Sequence, residues 1–213
     1  DFCDLDWEYY PDRKPERVRI AGIVLGDSHV DFADQTVVDA TFGKGGMTEV
    51  LDPAKIVWHD VLDFYSGSHH HKYEVFTNFA KHHSKRNNVG AEIDRCFAFI
   101  DKHSCAAQNI FVNSNHHNHL ARWVKETDPR QDPENAVFWA RTFEEMCRGT
   151  RMTEKGAQTP DPFVFWAKRK LECALESVFL NPDESYEIVG IEVGYHGDRG
   201  ANGARGSIKA FGK

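Results

Sequence analysis

Four short apolar runs, each stopping at a cluster of Asp, Asn or His, constrain this chain more than any other feature of its sequence. They are Val18–Leu25, Lys55–Trp58, Asn109–Val112 and Tyr186–Val193. Each has the length of a strand and is bounded by turn formers. Between them lie stretches with helical spacing: Asp34–Thr41 with Asp34 as its cap, Val75–His83, Ala91–His103, Leu120–Lys125, Asn135–Cys147 and Pro162–Phe179. Within Ala91–His103, Ile93, Phe97 and Ile100 share one face. A further short helix is expected from Ser207. Strands alternating with helices predict an α/β domain over residues 17–213. Residues 1–16, acidic and then polar with Pro11 and Pro15, read as an arm or linker.

The strand ends carry Gly26-Asp27-Ser28-His29, then His59-Asp60, then Ser114-Asn115-His116, then His196. In open α/β sheets ligands gather outside the carboxyl ends of the strands, so four such clusters can converge on one site. Taken singly, each has a plain reading. Asp27-x-His29 is a surface turn, Asp60 a cap, Asn115-His116 loop polarity, and His69–His71 a solvated loop. The stripe Phe138, Trp139, Phe143 reads as helix packing, and Cys96, Cys105, Cys147 and Cys173 as small core or half-buried residues. The joint order of the clusters is what points to chemistry. Asp27 and Asp60 offer hard anionic oxygens, Asn115 a neutral carbonyl, and His29 and His196 imidazole nitrogens. A mixed oxygen and nitrogen set without thiolate suits Mn, Fe or Zn with open positions better than a structural zinc site.

Composition bounds the reading. Of 213 residues 40% are apolar and 28% charged, enough to bury a core. The net charge of −7 argues against a general electrostatic grip on nucleic acid. Local basic segments at 81–86 and 148–155 tilt the other way. No run approaches the roughly 20 apolar residues of a membrane helix. Five cysteines without C-x-x-C spacing indicate thiols in a reducing compartment, hence a cytoplasmic location. The 12 histidines, against 3 methionines, are the outlier.

The ordered clusters resemble the calcineurin-like metallophosphoesterase superfamily, whose pattern is D-x-H, G-D-x-x-[DN], G-N-H-[DE], a lone His and G-H-x-H. "GDSH" matches the first block, and "HDVLD", His59 to Asp63, the second with His in place of Gly. "SNHH", Ser114 to His117, matches the third with two departures, and "GYHGDRG" supplies His196. The form with "SNHH" and "HGDRGANGARGS" is similar to phage-encoded members, one of which is associated with breakdown of host DNA early in infection. The resemblance implies a two-sheet sandwich flanked by helices and two divalent ions, Mn²⁺ first with Fe or Zn as alternatives. Asp27 and His29 would hold the first ion, Asp60 would bridge both, Asn115 and His196 would hold the second, and His116 would be the catalytic histidine. His117 stands where an acid would orient His116. No G-H-x-H occurs before Lys213, so a weakened site and an uncovered sheet edge that invites self-association are expected.

Gly194, Gly197, Gly200, Gly203 and Gly206 recur at every third residue, with Arg199 and Arg205 between them. Such a stretch forms either a flexible turn or an anion-binding concavity in which the two arginines hold phosphate oxygens. The leading functional expectation is a two-metal phosphodiesterase, a nuclease acting on DNA. The alternatives are a phosphatase or small-molecule phosphodiesterase, and a degenerate domain of the same superfamily serving assembly or regulation.

Overall fold

The structure, a computed structural model, describes residues 7–104 and 106–197. Along the chain come β1 (Trp7–Glu8), β2 (Glu16–Arg17), β3 (Ile23–Asp27), α1 (Gln35–Phe42), α2 (Met47–Leu51) and β4 (Lys55–His59). Then follow α3 (Val75–His83), α4 (Val89–His103), β5 (Gln108–Phe111), α5 (Asn115–Glu126) and α6 (Ala136–Gly149). The last are β6 (Arg151–Thr153), β7 (Gly156–Gln158), α7 (Pro162–Lys170), β8 (Val178–Phe179), β9 (Glu187–Ile188) and β10 (Ile191–Glu192). The chain divides into two compact units. The first comprises Asp1–Val61, Lys102–Ser114 and Glu176–Lys213, and the second Leu62–Asp101 and Asn115–Leu175.

The first unit is built on a four-stranded parallel sheet in the order β3-β4-β5-β8. Strand β4 lies inside it, and its Ile56, Val57 and Trp58 are fully buried. A continuous apolar run is what a strand covered on both faces requires. Val57 sits opposite Val24 on one side and Ile110 on the other. Trp58 stacks on Phe42 of α1 at 5.6 Å and donates its indole N–H to Asn109 Oδ1 at 2.8 Å. The one polar atom of this side chain is thereby satisfied within the core. Val57, Ile110, Val112, Leu180 and Val193 form a cluster on which Tyr186 and Ile188 pack. Asp34 caps α1 as the sequence predicts, accepting from Thr36 N at 2.7 Å and Val37 N at 3.4 Å.

The fold is thus mixed α/β, with a four-stranded parallel sheet accompanied by helices. Among the described residues the remaining strands form three two-stranded antiparallel pairs, β1-β2, β6-β7 and β9-β10. Near the start of the described residues Trp7 pairs with Arg17 and Glu8 with Glu16. Two sequence expectations need correction. Tyr186–Val193 is not one strand. Val189 (φ 52°) and Gly190 (φ 75°) turn the chain between β9 and β10, where Ile188 faces Ile191. Two consecutive positive φ angles are what a two-residue type I′ hairpin needs. Pro162–Phe179 is not one helix either. Leu171 is extended, and the chain then reaches β8, where Phe179 pairs with Phe111 and stacks on it at 5.0 Å. Sheet pairing there overrides the helical spacing of the sequence. The short helix expected from Ser207 lies outside the described residues.

The second unit is helical, with the β6-β7 hairpin. Ile93, Phe97 and Ile100 of α4 are buried together, as their spacing predicts. Phe97 meets Phe163 of α7, and Trp123 of α5 meets Phe64 and Phe138. Phe138 stacks on Trp166, whose N–H donates to Thr142 Oγ1 at 3.0 Å, so part of the α6 stripe is packing. Among the described residues no helix is long and apolar enough to cross a membrane.

Candidate metal centre

Parallel pairing between β3 and β4 does not stop where the strands end. Asp27 lies opposite His59. Beyond it Ser28 N donates to His59 O at 3.1 Å, His29 N to Asp60 O at 2.9 Å and Val30 N to Val61 O at 3.1 Å. The ladder therefore carries the Asp27-x-His29 block alongside His59-Asp60, and the two blocks share one place because their backbones are bonded. His29 (φ 36°) and Asp60 (φ 45°) both adopt the left-handed conformation. For residues with a side chain this costs on the order of 1–2 kcal/mol each, and such strain concentrates at functional sites.

The side chains converge accordingly. Asp60 is buried. Its Oδ2 lies 3.8 Å from His29 Nε2 and 3.4 Å from His196 Nε2, and His196 Nδ1 lies 3.8 Å from Asp27 Oδ1. One ligand atom from each of Asp27, Asp60 and His196 falls within 4.8 Å of the others. Donors about 2.0–2.2 Å from a common ion are themselves roughly 3–3.5 Å apart, so the spacing fits a shared cation with small adjustments. A buried carboxylate needs compensating charge, and two carboxylates with imidazoles form a donor set that a divalent ion satisfies. These residues could hold a metal.

His196 arrives on a tightly built segment. A Cβ on Gly194 would lie 2.5 Å from Glu184 O and 2.6 Å from Tyr186 N, so only glycine lets the chain pass there. Gly194 N and Tyr186 N both donate to Glu192 Oε1, at 2.6 and 3.0 Å. His59, which closes β4 beside Asp60 and stands where the resemblance has glycine, reaches the same place. Its ring stacks 5.9 Å from that of His196, and it is buried. Burial pushes its pKa below the ordinary imidazole value and the charge of His196 adds to this, while Asp27 and Asp60 oppose it. Its place at the end of an otherwise apolar strand, directly before Asp60, was the available signal.

Asn115 and His116 belong to the second unit. They are not in a loop but open α5. His116 Nδ1 lies 2.6 Å from the carbonyl oxygen of Asp63. A carbonyl can only accept, so Nδ1 is the donor and carries a proton. This bond to the backbone oxygen fixes the orientation of the His116 ring. His117 instead is buried and stacks on Phe163 at 3.8 Å with the rings 9° apart. It lies at helical spacing from the buried Leu120 and Val124, so it is a core residue. The basic segment 81–86 also changes meaning. Lys81 is buried and donates to Tyr65 O at 2.6 Å, and burial pushes its pKa down. In the other basic segment Arg148 pairs with Glu144 at 2.6 Å. Arg199 and Arg205 lie outside the described residues.

No protein-family model matches the chain, and no solved structure matches it. Over 203 residues it is 31% identical to Protein A1 of Escherichia phage T5. It is a distant relative of that phage protein. The similarity takes in 91% of this chain but 35% of Protein A1, so the chain spans about a third of that relative's length.

Proposed function

We propose that this chain is the metal-bearing part of a calcineurin-like metallophosphoesterase that hydrolyses phosphodiesters, with DNA as substrate. The observation that carries the reading is the gathering of Asp27, Asp60 and His196 at the carboxyl ends of β3 and β4, with His29 beside Asp60. The relationship to a phage protein agrees with it. In this reading Asp27, His29, Asp60 and His196 hold the ions and Asn115 contributes its carbonyl. Bound divalent ions supply Lewis-acid polarisation of a phosphoryl oxygen and a water acidified toward neutrality.

The chain's own residues do the rest. Asp60, held in a costly backbone conformation, presents its carboxylate in a fixed direction, and fixed direction is worth rate. His116, with Nδ1 bonded to the Asp63 carbonyl, donates from Nε2 to the departing alkoxide oxygen. A smaller substrate is the second reading, and the buried Lys81 and the Arg148–Glu144 pair favour it, since both remove basic charge expected to grip a polyanion.

The test is Mn²⁺ titration by calorimetry alongside hydrolysis of linear DNA and of an aryl phosphodiester. Mn²⁺-dependent cleavage of DNA that disappears in Asp60→Asn is the expected result. Cleavage of the aryl diester alone would move the substrate class to small molecules. Tight Mn²⁺ binding without hydrolysis of either would leave a domain that binds metal but does not catalyse.

A further inference from the structure

A second group of potential ligands lies wholly within the second unit. His69 and His70 sit on a 3-10 turn, Ser68 precedes it, and His119 comes from α5. One ring nitrogen from each of the three falls within 4.8 Å of the others. The ring centroids of His69 and His70 are 3.9 Å apart, and His119 meets them edge-on at 4.8 and 5.7 Å. Side chains at positions 69 and 119 are half-buried and that at 70 is exposed.

The loop carrying the turn is pinned in place. Glu92, buried within α4, accepts from Tyr65 N and Ser66 N, each at 2.8 Å, and from the Ser66 hydroxyl. Lys81 donates to Tyr65 O at 2.6 Å and sits 4.4 Å from the centre of its ring. Beyond the turn, Asn78 Nδ2 donates to His71 O at 2.8 Å. Two buried charges are costly, and here both are spent on the backbone just before three consecutive histidines. A solvated loop has no need of such anchoring.

We infer that His69, His70 and His119 form a binding site for a transition-metal ion of the imidazole-preferring class, such as Zn²⁺ or Co²⁺. Three nitrogens with no carboxylate among them select these ions over Mn²⁺ and Mg²⁺, which favour oxygen. The nearest acid on the same helix, Glu126, is held by Arg122 at 2.9 Å and leaves the set all-nitrogen. Three protein ligands leave a fourth position open to water. The ion would tie the 65–71 loop to α5 one turn from His116, whose ring lies 4.9 Å from that of His119. This site differs in chemistry from the oxygen-rich set of Asp27 and Asp60, and its existence does not depend on the function proposed above.

The experiment is titration of the whole chain with Co²⁺, read by its visible absorption, and with Zn²⁺, read by calorimetry, both in excess Mn²⁺. In the Asp27→Asn, Asp60→Asn chain one Co²⁺ or Zn²⁺ per chain should still bind. His69→Gln combined with His119→Gln should weaken that binding more than about 100-fold, since losing an outer-shell partner alone costs about 10–100-fold. In the otherwise unaltered chain the same pair should lower Zn²⁺ stoichiometry by one, which keeps the test valid should the aspartate variants fail to fold. His71→Gln, one residue beyond the set, should leave binding intact. Unchanged Co²⁺ and Zn²⁺ binding in the His69→Gln, His119→Gln chain would overturn the inference. So would loss of binding in a folded Asp27→Asn, Asp60→Asn chain.

Discussion

Asp60 Oδ2 and His196 Nε2 lie 3.4 Å apart, although one closes the second strand of the sheet and the other lies beyond the last hairpin. This contact joins the two ends of the unit at the place where Asp27 and His29 also arrive. It makes Asp60 the residue on which the ligand set depends most.

Asp60→Asn should therefore reduce Mn²⁺ stoichiometry more than His29→Gln does, measured by calorimetry on both variants. Without metal, the same substitution removes a buried negative charge close to Asp27. Its melting temperature in chelator should then equal or exceed that of the unaltered chain. A residue kept for packing would show the reverse, a lower melting temperature with metal binding intact.

His116→Ala should keep the metal stoichiometry and lose about 10²–10⁴-fold in single-turnover rate on a phosphodiester, because its proposed contribution arises in the transition state. An unchanged rate would remove His116 from the mechanism.

His117→Ala should behave oppositely. The side chain is buried and stacked on Phe163, so its truncation leaves a cavity in the second unit. A loss of about 2–4 kcal/mol in urea unfolding is expected, with Mn²⁺ stoichiometry unchanged. His117→Phe retains the stacking and should cost less.

Stability should fall in mild acid through His103. Burial, followed by the charge of Lys102, holds its pKa below the ordinary 6.5. The unfolded chain then takes up a proton near pH 6.5 that the folded chain refuses until lower pH. This contribution is full above pH 6.5 and is lost as the pH falls below it. Between pH 7.5 and 5.5 the urea midpoint of His103→Gln should drop less than that of the unaltered chain. An equal drop would assign the acid sensitivity elsewhere.

How much of this was legible in the sequence depended on whether local pattern and tertiary role agreed. In Lys55–His59 they agree, because Ile56-Val57-Trp58 is apolar without interruption and the strand is buried on both faces. Asp34 is legible because a cap acts on its own helix. Tyr186–Val193 misleads because Gly190 turns the chain without breaking the alternation on either side. The first turn of α5 is hidden by Asn115, His116, Asn118 and His119, which read as loop, while His117 takes an apolar position. Lys81 reads as surface charge, and only the fold reveals the carbonyl it serves. Asp27, His29 and Asp60 could be proposed from their order along the chain, but their meeting rests on backbone bonds past the strand ends. Those bonds need left-handed residues that no pattern of side chains announces.

The long excursion between Asp60 and His196 has a consequence for how the molecule comes into being. Ribosomes deliver roughly 5–20 residues per second, and contacts far apart in sequence wait for the later partner. Asp27, His29 and Asp60 emerge early, whereas His196 follows only after both long connections and β8 have been made. A growing chain thus carries an incomplete ligand set for most of its synthesis. The candidate metal centre is therefore assembled only when the segment that follows β10 brings His196 against Asp60.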